Sequence, residues 1–395
     1  MPMKKELEFP EGFLWGSACS SYQVEGGIDG CDWSEDFPAG RACDFWNRYE
    51  EYFDMAQELH QNVFRLSLEW SRIEPEEGRF DAAAIGRYRK MLESLRKRKI
   101  KAMVTLWHFT TPSWLSEKGG WKNSAAPEYF RKYSEFAAKE LDPHVDFWIT
   151  LNEPMIYTSQ GYIIGRFPPR KRYDIAGCAA ASFHLAQAHK KAYRAIKGAN
   201  PKAKAGMAEN YSFVEPLYGD PISRFAAWAW DYVRNRMFLE FTRKEQDFIG
   251  VNYYFHERIA WDVKYPFVFI RNADKSVSDI GTEIYPKGIC EVLKRMRKYG
   301  LPIYITENGL ADAKDEKRGQ FIKDHLRWIH KAIGAGADVR GYLHWSLLDN
   351  FEWADGYSPR FGLAEMDYDK QSCKIRASAK EYADICAKNR LAAGQ

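Results

Sequence analysis

Short apolar runs alternate along this chain with longer amphipathic segments. The short runs are rich in β-branched and aromatic residues, which is typical of buried strands. The sequence predicts eight such strands, at residues 13–15, 63–67, 102–106, 147–150, 203–207, 248–252, 303–306 and 341–344.

The segments between the strands follow the 3.6-residue period of a helix, as in Phe321, His325, Trp328, Ile329 and Ala332. Predicted helices span 47–60, 81–98, 127–140, 174–197, 223–243, 286–299, 320–335 and 377–388. Eight strands that alternate with eight helices predict an α/β fold, a closed parallel (β/α)8 barrel of the TIM type. Because no linker or internal repeat divides the chain, we expect a single domain over residues 1–395.

Composition and charge narrow the function classes. A formal charge of only +4 with dispersed Lys and Arg argues against a nucleic-acid partner. Aromatic residues make up 15% of the chain, which suits a sugar site, because sugar C–H faces stack on aromatic rings, but equally suits a large core.

The remaining features of composition concern compartment and cofactors. Seven scattered cysteines without C-x-x-C pairs argue against a disulfide framework and a zinc site. The charged N-terminus, residues 1–8, does not resemble a signal peptide, and no apolar window is long enough to span a membrane. We therefore expect a cytoplasmic protein without metal or cofactor; its oligomeric state stays open.

A carboxylate ends the predicted strand at 303–306. A strand buried on both faces has no interior place for Glu307, so this side chain is expected at the strand's carboxyl end, where barrels build active sites. The alternative is a plain turn, with Asn308 and Gly309 at positive-φ positions and a solvated Glu307.

A second strand has the same plan and supports the functional interpretation. The run at 147–150 breaks at Asn152 and Glu153, followed by Pro154, a residue expected not to enter a helix. Paired carboxyl groups are the tools of glycoside hydrolysis, and a separation of roughly 5–5.5 Å leads to retention. Arg65 and Tyr254 are plausible neighbours that would keep Glu307 ionised as a nucleophile, and the nearby anion would keep Glu153 protonated as an acid.

Several segments resemble glycoside hydrolase family 1, the β-glucosidase family. Residues 150–154 (TLNEP) and 305–309 (ITENG) resemble its acid/base and nucleophile signatures. Residues 13–16 with 22–26, 64–73, 250–254, and 345–353 with 357 and 360–363 resemble further family segments in the same order.

This resemblance implies a two-step retaining mechanism without a cofactor, with Glu153 as acid/base and Glu307 as nucleophile. Asn152 matches the residue that bonds the sugar 2-hydroxyl. The remaining matches are to residues that hold the other hydroxyls or form the pocket walls: Gln23, His108, Glu352, Trp353, Trp345 and Phe361. Taken without the resemblance, His108, Trp345 and Trp353 would be interpreted as core residues in preference to site residues. We expect Glu69, His184 and His189 to be structural.

Three differences from the family pattern are visible. Phe109 stands where the family usually has Trp, which keeps an apolar wall but loses an N–H donor. Thr282 also replaces a usual Trp. Between residues 238 and 247 the family usually carries a much longer segment, so we expect a more open leaving-group end of the cleft.

The resemblance leaves several functions open. Glu352, with no lysine in residues 354–361, favours a neutral glycoside over a 6-phosphate. The preferred interpretation is a β-glucosidase-like enzyme for small β-glycosides, with β-galactosidase or β-fucosidase activity also compatible. The alternatives are a noncatalytic sugar-binding barrel and a predominant transglycosylase.

Overall fold

The computed structural model describes residues 6–260, 268–270 and 276–392. The first five residues of the charged N-terminus lie outside the described residues. Eight parallel strands form the barrel: β1 Leu14–Ala18, β2 Val63–Ser67, β3 Lys101–Trp107, β4 Phe147–Asn152, β5 Ala205–Pro216, β6 Phe248–Ala260, β7 Ile303–Asn308 and β8 Val339–Trp345.

Hydrogen bonding closes this sheet on itself. Each strand pairs with its sequence neighbour, and β8 returns to β1 with Gly341 opposite Leu14. The side chains that fill the lower barrel form one apolar cluster: Leu14, Val63, Met103, Phe147, Ile149, Ala208, Phe248, Tyr304 and Leu343. The barrel is therefore a packed apolar core toward the amino ends of the strands. The space for polar groups lies at their carboxyl ends. The predicted fold class is confirmed.

The main helices pack outside the barrel and match the predicted order. They are α1 Phe45–Glu58, α2 Ala82–Lys97, α3 Ala126–Leu141, α4 Ile175–Ala199, α5 Pro221–Asp231, α6 Pro286–Met296, α7 Arg318–Gly334 and α8 Ala377–Lys388. Local capping explains several starts: the Asp81 carboxylate accepts N–H groups of Ala83 and Ala84, and Asp174 accepts that of Gly177.

Shorter elements complete the structure. Strand Glu6–Glu8 pairs with Arg390–Ala392, Ala364–Asp367 with Ser372–Ile375, and Val268–Ile270 with β6, all antiparallel. Short helical segments follow several strands: Ser21–Val24, Trp70–Ile73, Ser113–Glu117, Gly120–Lys122, Asp142–His144, Pro154–Thr158, Ser159–Ile164, Arg297–Tyr299 and Trp353–Asp355.

The helix predicted at 223–243 is interrupted. After α5 the chain makes a π turn over Tyr232–Arg236 and resumes an α-helix over Met237–Thr242. The outward face of this region is apolar, with Ile222, Phe225 and Trp228 each more than half exposed. Only five residues then separate Thr242 from β6, so the link that the sequence marks as compact is compact in the fold.

Two local expectations about the strand ends are wrong. β7 continues to Asn308, and neither Asn308 nor Gly309 has a positive φ. Glycine is required at 309 for close approach, since a Cβ there would lie 1.9 Å from the carbonyl oxygen of Trp345. Pro154 does not prevent a helix; it opens Pro154–Thr158 at the first turn, where its missing N–H costs nothing.

Candidate active site

The carboxyl ends of the strands surround a cavity of about 220 Å3. Ten of the twelve predicted site residues line it: His108, Phe109, Asn152, Glu153, Tyr254, Glu307, Trp345, Glu352, Trp353 and Phe361. Of the other two, Arg65 is buried and bonds the lining residue Glu307, whereas Gln23 is buried and bonds residues outside the lining. Predicted residues on or after β2, β3, β4, β6, β7 and β8, which are far apart in sequence, therefore meet at one place.

Glu307 is buried at the end of β7 against a cation and a phenol. Arg65 Nη1 lies 2.5 Å from its Oε1, and the Tyr254 hydroxyl donates to its Oε2 over 2.9 Å. Both contacts agree with the sequence prediction. Burial raises the pKa of Glu307 to about 7 and the neighbouring Glu153 adds to the rise, while the charge of Arg65 and the bond from Tyr254 oppose it. The two contacts therefore favour the ionised form that burial disfavours.

Glu153 is buried at the end of β4, and its side-chain hydrogen-bond donors in the described part of the chain are neutral. The side-chain amides of Asn252 and Asn210 donate to the same oxygen, Oε1, over 2.8 and 3.0 Å. Burial raises the pKa of Glu153, and the two amide bonds oppose it. The sequence predicts the direction but attributes it to the neighbouring anion, whereas burial is the main cause.

The backbone of Glu153 is also unusual. Its φ of 44° and ψ of 53° lie in the left-handed region, which costs a residue with a Cβ about 1 kcal/mol or more. Phe109 and Trp353, both on the pocket wall, also have positive φ, at 74° and 54°. Such strained residues cluster where side chains must point into a site rather than follow the easiest path.

A chain of hydrogen bonds connects the two carboxyl groups. Arg65, which holds Glu307, also donates through Nη2 to Asn152 Oδ1 over 2.6 Å. Asn252 Nδ2 donates to the same Asn152 oxygen over 3.1 Å and to Glu153. The amides and the guanidinium thus fix both carboxyl groups in one network.

His108 lies at the end of this network. Because Arg65 occupies Asn152 Oδ1, the Asn152 amide nitrogen faces His108 Nε2, 3.2 Å away. Burial lowers the pKa of His108 well below its usual value, and Arg65 adds to the effect. A neutral His108 that accepts at Nε2 carries its proton on Nδ1, an atom without a partner among the described residues.

Aromatic rings, among them the indoles of Trp345 and Trp353, form another wall of the cavity. Trp345 Nε1 donates to Glu352 Oε1 over 3.2 Å, and burial raises the pKa of Glu352 to about 8. His108 stacks between Trp345 and Trp353, with ring centroids 5.8 and 5.9 Å away. Phe109 contacts Trp353 at 5.1 Å, so phenylalanine fills the position where tryptophan is usual. These residues are pocket wall rather than remote core.

Gln23 is held more tightly than a free hydroxyl-binding amide would be. Its Nε2 donates to Asn350 Oδ1 and to the Phe351 carbonyl oxygen, and its Oε1 accepts from Ser20. Gln23 is fully buried and does not line the cavity. Its direct contact with a sugar therefore stays a prediction.

Comparison with known proteins identifies the family. A model described as glycosyl hydrolase family 1 matches residues 5–242 and 235–391. The chain belongs to glycosyl hydrolase family 1. This family 1 chain is 32% identical over 448 positions to β-glucosidase A of Thermotoga maritima, covering 97% of this chain and 99% of that protein.

Two further relatives agree. A β-galactosidase of Sulfolobus acidocaldarius is 30% identical, covering 97% of this chain and 96% of that protein. A solved structure, a β-glycosidase from Pyrococcus horikoshii, has a TM-score of 0.93 at 36% identity, covering 98% of this chain and 96% of that one. The resemblance stated from the sequence is confirmed, and the chain is a glycoside hydrolase. The two matched stretches overlap at residues 235–242, just before the compact link to β6.

Sequence reasoning missed the contribution of β5 to this family 1 site. The predicted strand stops at 207, whereas β5 runs on to Pro216 and brings Glu209 and Asn210 beside Glu153. Burial raises the pKa of Glu209 to about 8, and its carboxyl accepts the main-chain N–H of Asn210 over 2.9 Å. The signal was available, because a Glu-Asn pair follows an apolar run here as an Asn-Glu pair does in β4.

Three polar residues that the sequence predicts to be structural do have structural contacts. Glu69 caps Trp70–Ile73 and accepts the Thr110 hydroxyl. His184 Nδ1 lies 2.9 Å from the Trp121 carbonyl oxygen, and His189 Nδ1 lies 2.6 Å from the Thr150 hydroxyl. None of them lines the cavity. Among the described residues no helix is long and apolar enough to cross a membrane.

Proposed function

We propose that this family 1 chain is a retaining β-glycosidase that removes the nonreducing terminal sugar from small β-glycosides. Glu307 is the nucleophile and Glu153 the acid/base. The observation that carries the proposal is the unlike surroundings of two buried carboxyl groups on one cavity: Glu307 is paired with a guanidinium, whereas the side-chain donors to Glu153 among the described residues are neutral amides.

In the first step the Glu307 carboxylate attacks the anomeric carbon while Glu153 gives its proton to the leaving oxygen. Arg65 and Tyr254 hold the attacking carboxylate in place and stabilise its charge. The product is a glycosyl ester of Glu307 and a free alcohol. In the second step the Glu153 carboxylate removes a proton from water, which attacks the same carbon and releases the sugar with its original β configuration.

The contacts of the two carboxyl groups suit the protonation states that the two reaction steps require. Because two buried carboxyl groups close together do not both ionise easily, the pair carries one negative charge near neutral pH. The Arg65 guanidinium, 2.5 Å from Glu307, draws that charge to Glu307. Glu153 then keeps the proton that the leaving group requires.

The remaining pocket residues support a neutral sugar as substrate. Asn152, His108, Glu352 and Trp353 offer directional polar groups, and Trp345 with Phe361 offers aromatic surface. Relatives named β-glucosidase and β-galactosidase favour glucose or galactose at this position. Glu352 makes a 6-phosphate an unfavourable ligand whenever it is ionised.

The decisive experiment is hydrolysis of 4-nitrophenyl β-D-glucoside and β-D-galactoside, followed by proton NMR of the first sugar released. We expect nitrophenol release and the β anomer as the initial product. The α anomer would contradict the retaining mechanism. If nitrophenol is released from neither substrate between pH 4 and 9, the result would favour a noncatalytic barrel. Disaccharide rather than free sugar at low sugar concentration would favour transglycosylation.

A further inference from the structure

A buried arginine stands behind the β5 wall of the cavity. Arg234 lies in the π turn Tyr232–Arg236 and is 8% exposed. Its Nη1 donates to the Asn210 carbonyl oxygen over 2.7 Å, and its Nη2 donates to Asn210 Oδ1. The guanidinium thus donates hydrogen bonds to both the main chain and the side chain of one pocket residue, Asn210.

The π turn is the element that brings Arg234 to this place. Its neighbours Tyr232 and Val233 are exposed, whereas Arg234 and Asn235 are buried against β5. Asn235 bonds both backbone groups of Ser212, accepting the N–H over 3.0 Å and donating to the carbonyl over 2.9 Å. The turn is therefore fastened to β5 at residues 210 and 212, and π turns of this kind recur at functional sites.

The two hydrogen bonds from Arg234 fix the orientation of the Asn210 side-chain amide. A guanidinium has only donors, so the atom of Asn210 that faces Arg234 must be its oxygen. The amide nitrogen then faces Glu153 Oε1, 3.0 Å away. Asn252 is oriented in the same manner, since Thr306 donates to its Oδ1 over 2.6 Å while its nitrogen donates to Glu153 Oε1 over 2.8 Å.

Two N–H groups on Oε1 leave only Oε2 to carry the proton of a neutral Glu153. We propose that Arg234 is a positioning residue that, by orienting the Asn210 amide, holds the Glu153 proton on Oε2, the oxygen that protonates the leaving group. The inference rests on the proposed role of Glu153 and extends it to a residue outside the cavity.

Loss of Arg234 would release this orientation. The Asn210 amide could then turn its oxygen toward Oε1, which favours a proton on Oε1, between the two amides and away from the leaving oxygen. The Arg234 charge and the Asn210 bond both lower the pKa of Glu153. Their loss therefore raises that pKa, and the basic limb of the pH profile, which reports the protonated acid, moves to higher pH.

The experiment compares Arg234→Met with Arg234→Lys and with Arg236→Gln. Arg236 lies in the same π turn but pairs with Asp231, so it is the matched control. We measure kcat/KM against pH for methyl β-D-glucoside, which needs acid assistance, and for 2,4-dinitrophenyl β-D-glucoside, which hardly needs it. Arg234→Met should lose about tenfold or more on the methyl glycoside, little on the dinitrophenyl glycoside, and shift the basic limb upward by about half a unit or more. Arg234→Lys should recover part of both effects, and Arg236→Gln should show neither.

Asn210→Ala, alone and combined with Arg234→Met, tests the route of the effect. If Arg234 acts through Asn210, the double variant loses no more on the methyl glycoside than Asn210→Ala alone. Equal losses on both substrates with an unmoved basic limb, or additive losses in the double variant, would overturn the inference. If the wild-type protein cleaves neither glycoside, it is the proposed function that fails. If wild type cleaves both glycosides and the basic limb of the Arg234→Met pH profile stays at the wild-type pH, only the Arg234 role fails.

Discussion

The two sides of the cavity surround the same functional group, a carboxyl group, with different hydrogen-bond partners. On the β7 side, Glu307 meets a guanidinium and a phenol that favour its charged form. On the β4 side, Glu153 meets two amides that satisfy one oxygen without requiring a charge. Burial raises the pKa of both carboxyl groups, so burial alone does not separate their roles. The difference lies in whether the partner is charged.

Removal of the charged carboxylate is the strongest test of this contrast. Glu307→Gln should lower kcat for 4-nitrophenyl β-D-glucoside by about 10⁴-fold or more, because no glycosyl ester can form. Glu307→Gly with added azide should restore release and give the α-glycosyl azide, which NMR detects. Retained turnover in Glu307→Gln would contradict the nucleophile assignment.

Removal of Glu153, the carboxyl group bonded by two amides, should have an effect that depends on the leaving group. Glu153→Gln should lower kcat/KM for an alkyl β-glucoside by about 10²- to 10⁴-fold. For the dinitrophenyl glycoside the first step should be nearly unchanged, because its leaving group needs no proton. Equal losses for both substrates would show that Glu153 is not the acid.

Weakening the partners of Glu307 should move only the acid limb of the pH profile. The Tyr254 bond lowers the pKa of Glu307, so Tyr254→Phe raises it, and activity is lost at a higher pH on acidification. We expect an upward shift of about half a unit and a loss in kcat of about tenfold. Arg65→Lys should shift the limb in the same direction, with thermal denaturation as the check on folding. A shift of the basic limb instead would reverse the two roles.

The smallest effect concerns stability rather than rate. Burial raises the pKa of Glu209 to about 8 in the folded chain. Unfolding lets this carboxyl ionise, so the free energy of unfolding is highest below pH 4.5 as far as this group is concerned and falls as pH rises to 8. Glu209→Gln removes the group and its pH-dependent loss of unfolding free energy, on the order of 4 kcal/mol at pH 8, so the decline of Tm between pH 5 and 8 should be flatter. An unchanged slope would show that Glu209 is not protonated in the folded protein.

The barrel and the carboxyl pair could be predicted because their signals are local. Each strand is a short apolar run, and Glu153 and Glu307 each directly follow one. The Arg234–Asn210 contact could not, since 24 residues and a π turn separate the two, and no periodicity in the sequence indicates that turn. The directions of the side-chain amides depend on donors from other strands, as Thr306 for Asn252 shows. Likewise, Gly309 is explained only by the Trp345 carbonyl beside it.

The left-handed backbone of Glu153 sets protein stability against enzyme activity. Glycine or asparagine adopts this conformation at lower cost than glutamate, so replacing Glu153 with either should raise the melting temperature while lowering turnover. A library of variants screened for heat resistance alone would therefore enrich chains that have lost Glu153, the proposed acid. Directed evolution of this barrel needs a turnover screen in every round.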